Sequence, residues 1–218
     1  MQNDSGPQRL LKSMNIPITA TKSLQILQER SSGSATGWLV WPVAQSLCKF
    51  LVEHSDHICG KSVLEVGAGT GLVGLTCASL GSELVVITDM ADSLPICRSN
   101  VSTNISLIPA SCKVYVEELL WGCKPHLEAL LGMHGAFDVI VASDVVYHQS
   151  EEVLGGLAES ILAASNRNTV VLIAYEDREG LIDDELYFFS PMRDRFASLS
   201  LVDLGHNRAI YRFSDFIE

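Results

Sequence analysis

The sequence is poor in several things at once, and each shortage removes a class of function. No apolar run approaches the ~18 residues needed to cross a bilayer. The longest, such as Phe137–Ala142, have the length of a strand. The stretch Met1–Leu11 is polar and lacks the apolar centre of a secretory signal, so the chain is expected in the cytoplasm, with the nucleus also open to it. The six cysteines, Cys48, Cys59, Cys77, Cys97, Cys112 and Cys123, form no C-x-x-C pair. They read as small, mostly buried apolar residues in a reducing compartment rather than a thiol–metal or redox site. His54 and His57 stand just before Cys59, but without further ligands they read as a solvated helix end, and no metal is expected. Positive charge is scarce as well: 15 Lys and Arg against 26 Asp and Glu, net −11. Such a surface repels nucleic-acid phosphates. It attracts basic proteins or merely keeps the chain dissolved, two readings of equal weight. Neither nucleic acid nor membrane is expected as a partner, and a monomer is expected.

What is present is apolar substance and rhythm. Nearly half of the 218 residues are hydrophobic (47%), enough for one sizeable core. Residues 1–35 are rich in Ser, Thr and Gln, with a flexible Ser31-Ser32-Gly33-Ser34 stretch. They read as an N-terminal tail holding an early hairpin, ahead of a domain over 36–218. Pro42–Glu53 has apolar residues at helical spacing, with Pro suited to the first turn. Short apolar runs then alternate with helical stretches. Strands are expected at Ser62–Val66, Leu84–Thr88, Lys113–Val116, Phe137–Ala142 and Thr169–Ala174, and two closing strands at Leu199–Leu204 and Ala209–Phe213. Helices are expected over Gly71–Leu80, Asp92–Asn104, Glu151–Ala164 and Asp183–Ser198. The alternation predicts an α/β fold, a Rossmann-like doubly wound and mainly parallel sheet covered on both faces. The short turn at Gly205–Arg208 makes the last two strands an antiparallel hairpin at its edge, bringing the sheet to seven strands.

The strongest chemical signal is Glu65-Val-Gly67-Ala68-Gly69-Thr-Gly71, which follows a strand and opens a helix. Glycines there let the chain turn sharply and let a ligand lie against bare backbone. A dinucleotide loop reads G-x-G-x-x-G and leaves a helix N-terminus open to pyrophosphate. Here the spacing is G-x-G-x-G, with a carboxylate two positions earlier. That carboxylate disfavours phosphate and favours an ammonium. S-adenosylmethionine offers an ammonium, a sulfonium and no phosphate, so methyl transfer leads, hydride transfer follows and a purely structural glycine turn comes last. Asp89 ends the second strand, where a carboxylate accepts both hydroxyls of a ribose; alone it would read as a helix N-cap. Met90, next in the chain, is placed in the same cofactor set. Trp121-Gly122 lies just beyond the third strand; Trp121 is either a core aromatic or the wall of an adenine pocket. Ser143-Asp144-Val-Val-Tyr147 follows the fourth strand. Asp144 there orients an incoming amine, with base catalysis a weaker assignment, and Tyr147 frames the acceptor channel. Displacement at a methyl carbon needs positioning, a neutral amine and exclusion of water. Asp144 alone would hold an ammonium, so its surroundings must help the amine lose its proton. Asp138, at the start of the fourth strand, reads as structural.

Together, Trp41-Pro42, Glu65–Gly71, Asp89, Leu120-Trp121-Gly122 and Asp144-Val-Val-Tyr147 resemble a known family. It is the seven-β-strand (class I) S-adenosylmethionine-dependent protein methyltransferases of the lysine methyltransferase family 16 group, of the methyltransferase-like 21 and valosin-containing-protein lysine methyltransferase type. The likeness covers about residues 33–213. It implies transfer of methyl from S-adenosylmethionine, leaving S-adenosylhomocysteine, to lysine on an intracellular protein such as a chaperone, an ATPase or a translation factor. It implies that Trp41 meets the methionine end of the cofactor, that Gly67, Ala68 and Gly69 line it, and that Asp89 holds the ribose. It further implies that Trp121 stacks beside the adenine with Ser143 against it, and that Asp144 and Tyr147 serve substrate and catalysis. Ser143 stands where the family more often has Ala. Tyr175–Arg178 is similar to the family's segment bordering the acceptor site. Arginine or histidine methylation, a small-molecule methyltransferase with residues 1–35 as lid, and a catalytically silent binding module remain alternatives. A nucleic-acid methyltransferase fits poorly, for want of a basic stripe and an Asn-Pro-Pro-Tyr-like pocket.

Overall fold

Strand and helix alternate along most of the chain. A computed structural model describes residues 11–29, 36–147, 149–178, 184–205 and 207–217. Residues 1–10, the Ser31–Ser34 stretch, Asp183 at the expected helix start and His206 in the final turn lie outside these. The elements are β1 (Leu11–Pro17), β2 (Ser23–Glu29), α1 (Pro42–Glu53), β3 (Ser62–Val66), α2 (Leu72–Ser79), β4 (Leu84–Asp89) and α3 (Leu94–Asn104). There follow β5 (Lys113–Glu118), α4 (Lys124–His134), β6 (Val139–Ser143), α5 (Glu151–Ala163) and β7 (Val170–Glu176). A π-helical turn, Glu185–Phe189, then runs into α6 (Ser190–Arg195), and β8 (Phe196–Gly205) and β9 (Arg208–Phe216) close the chain.

The main sheet has seven strands in the order β5-β4-β3-β6-β7-β9-β8. The first five in that order pair in parallel, and β9 enters antiparallel between β7 and β8. This is the expected doubly wound sheet with its edge hairpin. Alternation along each strand feeds two cores. Val63, Val85, Ile87, Val139 and Val141 face α1 and α2, while Leu64, Val86, Ile140, Val171 and Ile173 face α5 and α6. Helix α2 is buried along its whole length, which explains a run apolar on every side. The order reverses between β3 and β6, and there the loops leaving both strands part to form a crevice, the usual place for a ligand in such sheets.

The structure differs from the sequence reading in three places. Helix α4 occupies a stretch where no element was expected; its only fully buried residue is Leu130, too little for a periodic signal. The expected helix over 183–198 ends at Arg195, because Phe196 is drawn into the sheet opposite Phe216, with its ring also against Phe213. The early hairpin exists, as β1 and β2, but it is fastened rather than trailing. Asn100 and Asn104, one turn apart on α3, act as a substitute strand edge. Asn100 accepts Leu27 N–H at 2.7 Å and donates to its carbonyl at 3.1 Å; Asn104 does the same with Gln25 at 2.8 and 2.9 Å. Leu24 and Ile26 on the alternate positions are fully buried beneath.

Other single residues meet their expectations in part. Asp138 ties strand starts together, accepting the Ser62 N–H at 2.8 Å and its hydroxyl at 2.9 Å. His54 packs against Phe50 at 4.6 Å between ring centroids, and His57 stacks on His54 at 5.8 Å. Cys48, Cys77 and Cys97 are buried as expected, whereas Cys112 and Cys123 are half-buried and Cys59 is exposed.

Candidate active site

The loop between β3 and α2 turns on glycines in left-handed conformations, Gly67 at φ 66° and Gly69 at φ 55°. Both are also crowded. A Cβ on Gly67 would lie 2.6 Å from Val145 Cγ1 and 2.8 Å from Trp121 Cζ2; one on Gly69 would lie 2.7 Å from the Gly37 carbonyl. No side chain fits there, so bare backbone faces the crevice. The segment carrying Gly37 lies over this loop, held in part by the Trp38 indole N–H, which donates to the Asp92 carbonyl at 3.0 Å. Gly71 departs from expectation: it caps α2 at φ 77°, with Cys97 Sγ 2.7 Å from where its Cβ would be. It shapes the turn from behind and is not on the cavity wall.

Two carboxyls anchor this end. Asp89 Oδ2 accepts the Gly69 N–H at 2.7 Å and Oδ1 accepts the Met90 N–H at 2.7 Å. Burial raises its carboxyl above the usual range and these amides oppose the rise. The Ser93 side chain is a third hydrogen-bond partner of this carboxyl, so of its about four lone-pair sites one stays open for a hydroxyl. Glu65, on β3, is 1% exposed and accepts the Gly74 N–H at 2.9 Å. Burial pushes its carboxyl up to about 8, against the pull of that amide.

The cavity that opens from this loop measures about 630 Å³. With the exception of Gly71, every expected site residue lies on its wall: Trp41, Glu65, Gly67, Ala68, Gly69, Asp89, Met90, Trp121, Ser143, Asp144 and Tyr147. Trp121 is half-buried over Gly67, and the chain behind it docks on α5. The Gly122 N–H donates to Ser160 Oγ at 2.9 Å, and a Cβ on Gly156 would lie 3.1 Å from the Trp121 carbonyl.

At the far end stands Asp144. Its backbone is left-handed (φ 57°), rare for a residue other than glycine, and its N–H donates to the Ala174 carbonyl at 2.9 Å. The side chain is 4% exposed, and both of its oxygens accept from Nη2 of Arg178, at 2.7 and 2.8 Å. Burial raises the Asp144 carboxyl, and the guanidinium opposes that rise. The guanidinium carbon lies 6.0 Å from the Trp41 ring centroid. Behind the pair, Arg208 holds Glu176 at 2.8 Å. Gln149 also lines the cavity, and its buried Oε1 has no hydrogen-bond partner among the described residues.

Sequence reasoning had not paired Asp144 with Arg178, nor placed Gly37 and Gln149 at the site. For Arg178 a signal existed. β6 and β7 run parallel with Ser143 opposite Ala174, so residues just past both strand ends must meet.

Comparisons with known proteins agree with this geometry. The sequence model of the family described as "Lysine methyltransferase" matches residues 18–195. The chain is 36% identical over 159 residues to the protein N-lysine methyltransferase METTL21A of Danio rerio, covering 73% of this chain and 68% of that protein. It is 34% identical over 124 residues to the EEF1A lysine methyltransferase 3 of Mus musculus, covering 57% of this chain and 50% of that protein. Among solved structures, the T. thermophilus 16S rRNA N2 G1207 methyltransferase in complex with AdoMet and guanosine shares the fold. It matches with a TM-score of 0.68 at 16% identity, over 95% of this chain and 51% of that one. The chain thus belongs to the lysine methyltransferase family, S-adenosylmethionine-dependent enzymes built on the class I fold.

Proposed function

We propose that this protein transfers a methyl group from S-adenosylmethionine to the side-chain nitrogen of a lysine in a protein. The observation that carries the reading is one cavity that joins the bare glycine loop and Asp89 at one end to buried Asp144 at the other. Its residues fit the donor. The crowded glycines leave backbone where a nucleoside is to lie, and Asp89 keeps an acceptor site for a ribose hydroxyl. Glu65 supplies a carboxyl for an ammonium and Gln149 an unpartnered acceptor. A volume of about 630 Å³ lies within the ~300–1,000 Å³ of ligand pockets.

When bound, S-adenosylmethionine supplies a methyl group activated by its sulfonium. In this reading Gly67, Ala68, Gly69, Met90 and Trp121 hold the nucleoside, Ser143 lies against it, and Trp41 closes over the methionine end. Asp144 accepts a hydrogen bond from the acceptor amine and aims its lone pair, and Tyr147 walls the channel. Orientation and exclusion of water are the main contributions such a site makes to displacement at carbon. The partner is a protein, best sought among chaperones, ATPases and translation factors, in the cytoplasm or nucleus; the enzyme works as a monomer. Net charge −11 supports a protein over a nucleic-acid partner.

The test is incubation with tritiated S-adenosylmethionine and a host extract lacking the enzyme. A discrete labelled protein whose hydrolysate yields methyl-lysine is the expected result. Methyl-arginine or methyl-histidine would keep the class and overturn the acceptor, and absence of any protein label would overturn the reading.

A further inference from the structure

A bare carboxylate beside the acceptor poses a problem for lysine methylation. It would hold the lysine as an ammonium, whose nitrogen has no lone pair to attack with. The structure answers it through Arg178. Asp144 is fixed by its left-handed backbone and by the Ala174 carbonyl, and it presents to the cavity a carboxylate already bound by a guanidinium through both oxygens. Arg178 comes from the segment after β7 and lines the same cavity, across its mouth from Trp41. One guanidinium nitrogen occupies one lone pair on each oxygen, so a second remains on each for an incoming N–H.

We propose that Arg178 is a positioning residue that neutralises Asp144, so that the acceptor lysine is received as a free amine rather than as an ammonium. This rests on the reading of the site given above. The lysine sheds a proton to water, its amine donates one N–H to Asp144, and the lone pair attacks the methyl carbon. The new N–C bond forms as the C–S bond breaks, the electron pair stays on sulfur, and the methylated ammonium returns a proton to solvent.

The other charged groups around Asp144 do not replace Arg178. Glu176 on β7 is negative and is itself paired with Arg208 on β9. Glu65, Asp89, Glu152 and Tyr147, also on the cavity wall, offer no cationic side chain. Arg178 is therefore the cation that bonds Asp144 directly among the described residues. Opposite charges at this range shift a titration by about one unit or more.

The experiment compares wild type, Arg178→Gln and Arg178→Lys from about pH 6 to 10. Tritium transfer is measured into the proteins of an enzyme-deficient extract and counted as methyl-lysine. Binding of S-adenosylhomocysteine by calorimetry and a ¹³C titration of the Asp144 carboxyl accompany it. For Arg178→Gln we expect the acid limb of the rate profile to move up by about one unit, a roughly tenfold loss near pH 7 that closes at high pH. The Asp144 carboxyl should titrate higher, S-adenosylhomocysteine affinity should hold, and Arg178→Lys should restore most of the limb. A loss equal at every pH, an unmoved limb, or faster transfer at neutral pH would overturn the proposal. Wild type that labels no lysine would instead overturn the underlying function.

Discussion

The two ends of the cavity are made differently. At the donor end, Glu65, Gly67, Gly69, Asp89 and Met90 all come from one β–loop–α–β unit, and the contacts that shape it are mostly backbone: the Gly69 and Met90 amides on Asp89, the Gly37 carbonyl against Gly69. At the acceptor end, Asp144, Tyr147 and Arg178 come from two separate segments joined by side chains, and Trp41, from a third segment over the methionine end of the cofactor, packs against Arg178. A local, backbone-built site is dictated by short-range spacing and is hard to alter without breaking the turn. A side-chain site assembled from distant segments is set by sheet register, and single substitutions can retune it.

That contrast is open to attack, and the largest blow falls on the acceptor end. Asp144→Asn keeps the size but leaves a single acceptor oxygen and breaks the two-oxygen pairing with Arg178, so the amine loses its orienting partner. It should lower methyl transfer about 100-fold or more, the scale of a lost orienting group. At the donor end, Gly69→Ala puts a Cβ against the Gly37 carbonyl in a left-handed turn. It should weaken S-adenosylhomocysteine binding at least tenfold and lower the melting temperature, because strain of about 1–3 kcal/mol enters with it. A variant that bound normally would mean the loop is less rigid than its geometry states.

Smaller effects sharpen the comparison. Asn100→Ala removes the pairing of α3 with Leu27 and leaves buried backbone groups unsatisfied, at a cost of about 1–3 kcal/mol. Hydrogen exchange at Leu27 and Gln25 should quicken while the β3 amides stay protected; uniform loss would mean that hairpin and sheet unfold together.

Glu65 gives a pH signature. Its folded carboxyl sits near 8 against an unfolded 4.5, chiefly through burial. The folded chain therefore holds this proton more tightly, so the stabilisation is complete below the unfolded value and is lost as pH rises through the folded one. Melting temperature should fall between about pH 5 and 8 in wild type and fall less in Glu65→Gln. Asp89 and Asp144 are shifted in the same direction, so some slope should remain.

The same contrast explains what could be read beforehand. The sheet was legible because each strand is a short apolar run, and β3 begins and ends where its sequence does, at Ser62 and Val66. The glycine loop and Asp89 were legible because their meaning lies in spacing. Helix α4 was not, since it buries little, and neither was the clasp between α3 and β2. There, Asn100 and Asn104 look like any polar helix face until residues 73 and 79 positions away in sequence come to meet them. The Asp144–Arg178 pair spans 34 positions and follows only from the β6–β7 register. Gly71 shows the other side of such spacing, a motif glycine that caps the helix with a left-handed turn off the cavity wall.

The most direct test of a separable donor and acceptor end is calorimetric titration of S-adenosylhomocysteine into Asp89→Ala and Asp144→Asn, each also assayed for methyl transfer. Asp89→Ala should lose about 10- to 100-fold in affinity, the worth of one or two charge-assisted hydrogen bonds. Asp144→Asn should bind within about threefold of wild type, well under 1.4 kcal/mol, while failing to transfer. Equal losses of binding in the two variants would contradict the account, because the cavity would then be one interdependent site.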